Sequence, residues 1–149
     1  MRISDILRSK AADSTAGTGA AVVSIAPDAT VTELLAQLAE HGIGALIVTD
    51  GTDVVGIVSE RDIVRRLNRD GAVALKATVG SMMTSPVITC APTDYVDAIA
   101  ETMTEHRFRH LPVVDNGELV GVISIGDVVK NRIRELEQDR SQLEQYVTG

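Results

Sequence analysis

A register of 65 residues runs through the chain and constrains its fold more than any other feature. It relates Pro27 to Pro92, Val31 to Val96, His41 to His106, Leu46 to Leu111 and Asp50 to Asp115. It continues through Gly56 and Gly121, Ser59 and Ser124, and Asp62 and Asp127. No gap is needed from Val22 to Val64. A register held that long marks a duplication, so the chain should fold as two like units.

Each copy reads the same way. Val22-Val23-Ser24-Ile25 and Val87-Ile88-Thr89-Cys90 are short β-rich runs, ended by Pro27 and Pro92. Val31, Leu34, Leu35 and Leu38 then follow the spacing of a helix with one apolar face, as do Val96, Ile99, Ala100 and Met103. Thr30 with Glu33 forms a capping box at the start of the first helix, and Gly42 is its stop. Two apolar runs of strand length come next in each copy. Those of the first copy flank Asp50-Gly51, and those of the second flank Asn116-Gly117, both hairpin signals. A last helix starts near Ser59 or Ser124. The order is β-α-β-β-α, and the fold class is α/β (α+β). One such unit of about 55 residues has a thin core, so two are expected to pack face to face with pseudo-two-fold symmetry.

The chain accordingly divides into a lead-in helix and loop (1–21), a first copy (22–78), a second copy (79–134) and a C-terminal helix extension (135–149). Ile3-Ser4-Asp5-Ile6-Leu7 and Val79-Gly80-Ser81-Met82-Met83 are similar lead-ins, 76 residues apart. The first copy therefore carries 11 more residues between lead-in and first strand. They fall within Ser9–Ala21, rich in Ala, Ser, Thr and Gly, where a mobile loop is expected. The final helix runs long. Val129, Ile133, Leu136, Arg140, Leu143 and Val147 make a heptad-like seam interrupted by Arg140. That helix either packs on its own module or is exchanged across a dimer.

Charge and composition exclude several functions. Fourteen Lys and Arg against 21 Asp and Glu give a net charge of −7, which opposes nucleic acid and anionic membranes but leaves room for a local basic cluster to hold one small anion. Tyr95, Phe108 and Tyr146 are the only aromatics, too few for a base-stacking platform. Cys90 stands alone, so no internal disulfide forms, and its β-rich setting marks it as buried filler. No apolar run reaches 18 residues and no secretory leader is visible, so the expected location is the cytoplasm.

Two heptapeptides carry a resemblance. Gly56-Ile57-Val58-Ser59-Glu60-Arg61-Asp62 and Gly121-Val122-Ile123-Ser124-Ile125-Gly126-Asp127 each stand where a last strand should meet a last helix. With His110-Leu111-Pro112-Val113-Val114-Asp115, they resemble the cystathionine-β-synthase (CBS) domain pair, or Bateman module, from about Val22 to the final helix. The resemblance implies an adenosine-ligand sensor with no chemistry of its own. In that family the motif Asp bonds the ribose hydroxyls and the Ser contacts ribose or phosphate. Carried over, these roles fall to Asp62 and Ser59 in one cleft and to Asp127 and Ser124 in the other. The ligands implied are AMP, ADP or ATP, or a dinucleotide such as NAD. A homodimer is implied too, signalling to an unknown regulated protein. The alternative is a dimerisation or interaction module with degenerate pockets and no physiological ligand.

The residues suit that role without the analogy. A carboxylate is a common acceptor for vicinal ribose hydroxyls, and a helix start offers N–H groups to an anion. Yet Ser-x-x-Asp before an apolar stretch is also an ordinary helix cap, and the two roles can coexist. Gly56 and Gly121 interrupt β-branched strands, which suggests either close approach of a flat ligand or a bulge. For phosphate, Arg61 lies in the first motif, and Arg109 and His110 precede the strand of the second copy, while Arg107 reads as solvated. Their counterparts Gly44 and Ala45 make the first cleft neutral and open, and Ile47 replaces Pro112 there. The candidate ligand-binding residues are thus Gly44, Ala45, Ser59, Arg61, Asp62, Arg109, His110, Pro112, Ser124 and Asp127. No catalytic set is evident: there is neither a Gly-x-Ser-x-Gly elbow nor a phosphate-binding Gly-x-x-x-x-Gly-Lys loop. His41, His106 and His110 lack the further ligands a metal site needs.

Overall fold

The computed structural model describes residues 1–13 and 24–148. Val22, Val23 and the part of the expected loop from Ser14 to Ala21 lie outside the described residues. The helices are α1 (Ile3–Asp13), α2 (Val31–His41), α3 (Glu60–Asp70), α4 (Val96–His106) and α5 (Ile125–Thr148). The strands are β1 (Ser24–Ile25), β2 (Ala45–Asp50), β3 (Asp53–Ser59), β4 (His110–Asp115) and β5 (Glu118–Ser124). This is the expected α+β class with a long C-terminal helix. Among the described residues no helix is long and apolar enough to cross a membrane.

Two compact units form. A sheet unit gathers Ala21–Thr89 and Pro112–Val122; a helical unit gathers Met1–Ala20, Cys90–Leu111 and Ile123–Gly149. They do not follow the two sequence copies: the lead-ins are exchanged, and Pro112–Val122 of the second copy groups with the first. In the sheet unit the second lead-in seats on the first copy: Val79 N–H donates to Ala29 C=O (2.8 Å), Gly80 N–H to Pro27 C=O (2.8 Å), and Val31 N–H to Ala77 C=O (3.0 Å). In the helical unit the first lead-in makes the equivalent bonds to the second copy. There Ile3 N–H donates to Asp94 C=O (2.9 Å), Ser4 N–H to Pro92 C=O (2.9 Å), and Val96 N–H to Met1 C=O (3.0 Å). Val79 and Ile3 are both fully buried by this docking.

In the sheet unit, β1 lies parallel to β2, and β2 pairs antiparallel with β3. Leu46, Ile47 and Val48 are buried in succession, because β2 is the central strand and is covered on both faces. Val31, Leu34 and Leu38 of α2 pack into the same core with Ile25, Val58, Ile63 and Val79. The start of α2 is the expected capping box, with Thr30 Oγ1 accepting from Glu33 N–H and Glu33 Oε2 accepting from Thr30 N–H. Gly42 ends it in the left-handed conformation, φ 62°.

The register of β2 and β3 shifts between Val48 and Thr49, so Val55 is the extra residue of a bulge beside Gly56. A Cβ on Gly56 would stand 2.5 Å from Met83 Sδ and 3.1 Å from Thr84 C=O. The bulge reading of this glycine holds, whereas the close approach is made not by a flat ligand but by the chain's own Met83 and Thr84.

In the helical unit, Ile3 and Ile6 of α1, Val96, Ile99 and Met103 of α4, and Val128 and Asn131 of α5 are buried. Asn131 Nδ2 donates to Met1 Sδ. Cys90 is buried, and burial, then the charge of Asp94, push its thiol up to about 12. The filler reading of this cysteine holds.

Four local expectations are corrected. Helix α1 continues through Ser9–Asp13, where loop was expected, because Lys10, Ala11 and Ala12 are good helix formers and the glycines come only later. Val87–Cys90 builds no strand; only Cys90 takes part in a bridge, and Pro86 just before the run has no N–H to give. The first hairpin turns on Gly51-Thr52, since Asp50 pairs with Asp53, whereas the second turns on Asn116-Gly117 as read, with φ 52° and 81°. Lastly, the seam of α5 does not pack on the helix's own module: Val129, Ile133, Leu136, Leu143 and Val147 are 51–81% exposed.

Candidate functional site

Ser59 closes β3 and caps α3. Its N–H donates to Asp62 Oδ2 (2.8 Å), its hydroxyl donates to the same oxygen (3.1 Å), and Asp62 N–H points back at Ser59 Oγ (3.4 Å). Ser124 closes β5 and does the same for α5. Its N–H donates to Asp127 Oδ2 (2.9 Å), and Asp127 N–H donates to Ser124 Oγ (3.1 Å). Both motifs are thus capping boxes, as the plain reading of Ser-x-x-Asp required. Among the described residues neither Asp62 Oδ1 nor Asp127 Oδ1 accepts a hydrogen bond. Each half-buried carboxylate keeps acceptor capacity at the mouth of a helix.

The sheet unit brings Gly44, Ala45, Ser59, Arg61 and Asp62 together. Ala45 pairs with Ser59, and Glu60 N–H donates to Gly44 C=O (3.0 Å). A Cβ on Gly44 would stand 3.7 Å from Glu60 Oε2. This corrects the expectation of a neutral opening: the Glu60 carboxylate lies beside Gly44. Arg61 is exposed.

The helical unit brings Arg109, His110, Ser124 and Asp127 together. Ile125 N–H donates to Arg109 C=O (2.8 Å), the counterpart of the Glu60–Gly44 bond. His110 is half-buried at the start of β4, and Arg109 is exposed. Pro112 is buried within the strand, as Ile47 is in β2; it belongs to the sheet unit. Arg107 sits exposed at the C-terminus of α4 with φ 57°, matching Gly42 in conformation although it is not glycine. His106 stacks on Phe108 with ring centroids 5.9 Å apart.

Sequence reasoning missed Lys10. Its Nζ donates to Asp127 Oδ2 at 2.9 Å, joining α1 to the second motif. Burial works against the Asp127 carboxylate, but the Ser124 N–H and the Lys10 ammonium outweigh it and hold the group below its ordinary value. His110 is held below its ordinary 6.5, chiefly by burial; Lys10 and Arg109 add to that effect and Asp127 opposes it.

The sign of the His110 effect is testable. A histidine whose folded pKa is depressed contributes stability that is complete above its unfolded value and is lost as the pH falls. Melting temperature is expected to hold steady above pH 6.5 and to fall below it, and His110→Gln should flatten that acid-side slope. Calorimetry between pH 8 and 5 checks this; an equal slope in the variant removes the assignment.

Comparisons with known proteins bear on the family and the fold. The sequence matches the CBS domain over residues 19–69 and 79–134. It is 32% identical over 127 residues to the mitochondrial CBS domain-containing protein CBSX3 of Arabidopsis thaliana; the match covers 82% of this chain and 62% of that protein's length. The fold is similar to the crystal structure of the CBS-domain containing protein ATU1752 from Agrobacterium tumefaciens. The TM-score is 0.79 at 41% identity, with 89% of this chain and 99% of the other covered. It is also similar to the CBS domain protein PAE2072 from Pyrobaculum aerophilum complexed with AMP. There the TM-score is 0.70 at 34% identity, with 85% and 89% covered. With both copies matched and both motifs folded alike, the chain belongs to the CBS domain family.

Proposed function

We propose that this chain is a regulatory sensor for an adenosine ligand, binding AMP, ADP or ATP, with NAD as the dinucleotide candidate, and doing no chemistry of its own. Copy 22–78 supplies Asp62 and Ser59, and copy 79–134 supplies Asp127 and Ser124. The observation that carries the reading is the twinned capping box. In each motif Oδ2 fixes the helix start and, among the described residues, nothing bonds Oδ1, so one carboxylate can both cap a helix and take a ribose diol. The related protein solved with AMP supports the ligand class. Arg109 adds positive charge to the second site, while the first has the Glu60 carboxylate beside Gly44. Unequal affinities follow, the second being more sensitive to ligand phosphate and to salt.

The sensor works as a homodimer, a reading supported by the exposed seam of α5. It acts on a separate regulated protein, in the cytoplasm. Calorimetric titration with AMP, ADP, ATP and NAD tests the proposal. Saturable binding of at least one nucleotide, at one or two sites per chain, is the expected result. No binding of any of them at millimolar concentration overturns it and leaves the interaction module, the reading that the exposed seam also serves.

A further inference from the structure

We propose that Glu60 is a specificity-determining residue of the first site, one that makes it select an adenosine ligand without negative charge at the 5′ end. The inference rests on the reading of Asp62 and Asp127 as ribose acceptors and names the ligand charge that each site favours. The two helix starts are built alike. The N–H groups of Ser59, Glu60 and Asp62 donate to Asp62 Oδ2, Gly44 C=O and Ser59 Oγ. Those of Ser124, Ile125 and Asp127 donate to Asp127 Oδ2, Arg109 C=O and Ser124 Oγ. With three backbone donors taken in each start, the side-chain charge beside it decides how a phosphate is received.

That charge is where the copies differ. The Glu60–Gly44 bond (3.0 Å) and the Ile125–Arg109 bond (2.8 Å) hold equivalent positions together. The pair is an acid with a glycine in one unit, and an isoleucine with an arginine in the other. A Cβ on Gly44 would stand 3.7 Å from Glu60 Oε2, so a side chain there would touch the carboxylate, but glycine brings none. Among the described residues no cation pairs with Glu60 or with Asp62. A phosphate nearing Glu60 meets like charge, whereas a 5′-hydroxyl meets an acceptor and a 5′ cation meets a partner. At the second site the exposed Arg109 reverses that preference. An acid suits the dipole at a helix start, yet Ile125 opens α5 at the same position without one, so the cap does not require Glu60. Arg61 follows Glu60 on α3 and is exposed, and its own effect is separable by substitution.

Calorimetric titration of full-length protein carrying Asp127→Asn, which leaves the first site to be read, tests the proposal with 5′-amino-5′-deoxyadenosine, adenosine and AMP. Affinity is expected to fall in that order, with AMP about tenfold weaker than adenosine, the scale of like charges a few ångströms apart near a protein surface. Glu60→Gln should erase the order, and Arg61→Gln should leave AMP the weakest. In the chain carrying Asp62→Asn instead, AMP should bind tighter than adenosine. There Ile125→Glu, at a side chain already 42% exposed, should cut that preference by about tenfold. AMP the tightest of the three at the first site, or an order unchanged by Glu60→Gln, overturns the proposal. Asp62→Asn added to Asp127→Asn separates the two levels. Adenosine binding lost in that chain, beside an order indifferent to Glu60→Gln, defeats the glutamate alone. Adenosine binding that survives there defeats the ribose reading and the proposal with it.

Discussion

AMP binding is expected to weaken by about tenfold or more at both sites when Asp62→Ala and Asp127→Ala are combined in one chain. A hydrogen bond to a charged group contributes about 1.5–3 kcal/mol, so each substitution alone should weaken its own site by about tenfold or more. Both residues also cap helices, and loss of a cap costs about 0.5–2 kcal/mol of stability. Typical domains hold about 5–15 kcal/mol, so the double variant should melt lower yet stay folded at the titration temperature. The two roles thus separate by measurement, with circular dichroism reporting the cap and calorimetry reporting the ligand. Unchanged affinity and stoichiometry in a folded double variant removes the ribose role and leaves the carboxylates as caps.

These same residues show what the sequence could reveal. Ser59 with Asp62, Ser124 with Asp127, and Thr30 with Glu33 are all three apart, and a capping box is decided within one turn. Gly42 at the end of α2 is equally local, since a left-handed terminus needs little beyond a residue that tolerates it. Lys10 with Asp127 is the opposite case, 117 residues apart. The pair exists because the first lead-in docks on the second copy, and no spacing in one copy can announce that exchange. The offset of 76 between the lead-ins was readable, but not which copy each lead-in would cover.

Gly56 shows the same limit in miniature. Its place in a β-branched strand demanded a reason, and the reason lies in Met83 and Thr84, far along the chain. The Glu60 carboxylate beside Gly44 is another long-range fact, set by the hairpin register that pairs Ala45 with Ser59. The run Val87–Cys90 failed in the other direction. Its β propensity was read correctly, but propensity does not supply a partner strand, and Pro86 withholds a donor where the run begins.

The exposed seam of α5 leads to the other large effect, on assembly. From Leu136 to Thr148 every residue of the helix is exposed. A helical segment of that length is marginal in water without tertiary packing, and the Arg140–Glu144 pair at 3.0 Å contributes only a few tenths of a kcal/mol. Ile133, Leu136, Leu143 and Val147 still form a stripe, and each can contribute about 1.5–3 kcal/mol when fully buried. A second copy of the chain is the simplest cover, and a two-fold dimer is the commonest closed arrangement. Arg140 interrupts the stripe and reaches solvent along its own methylenes, which disfavours a continuous coiled coil without preventing contact on either side. Full-length protein is therefore expected to sediment as a dimer at micromolar concentration, and a chain ending at Arg134 as a monomer with its two sites intact. A full-length monomer refutes the dimer. A shortened chain that dimerises equally well moves the interface off α5 and leaves the stripe without a role in self-association.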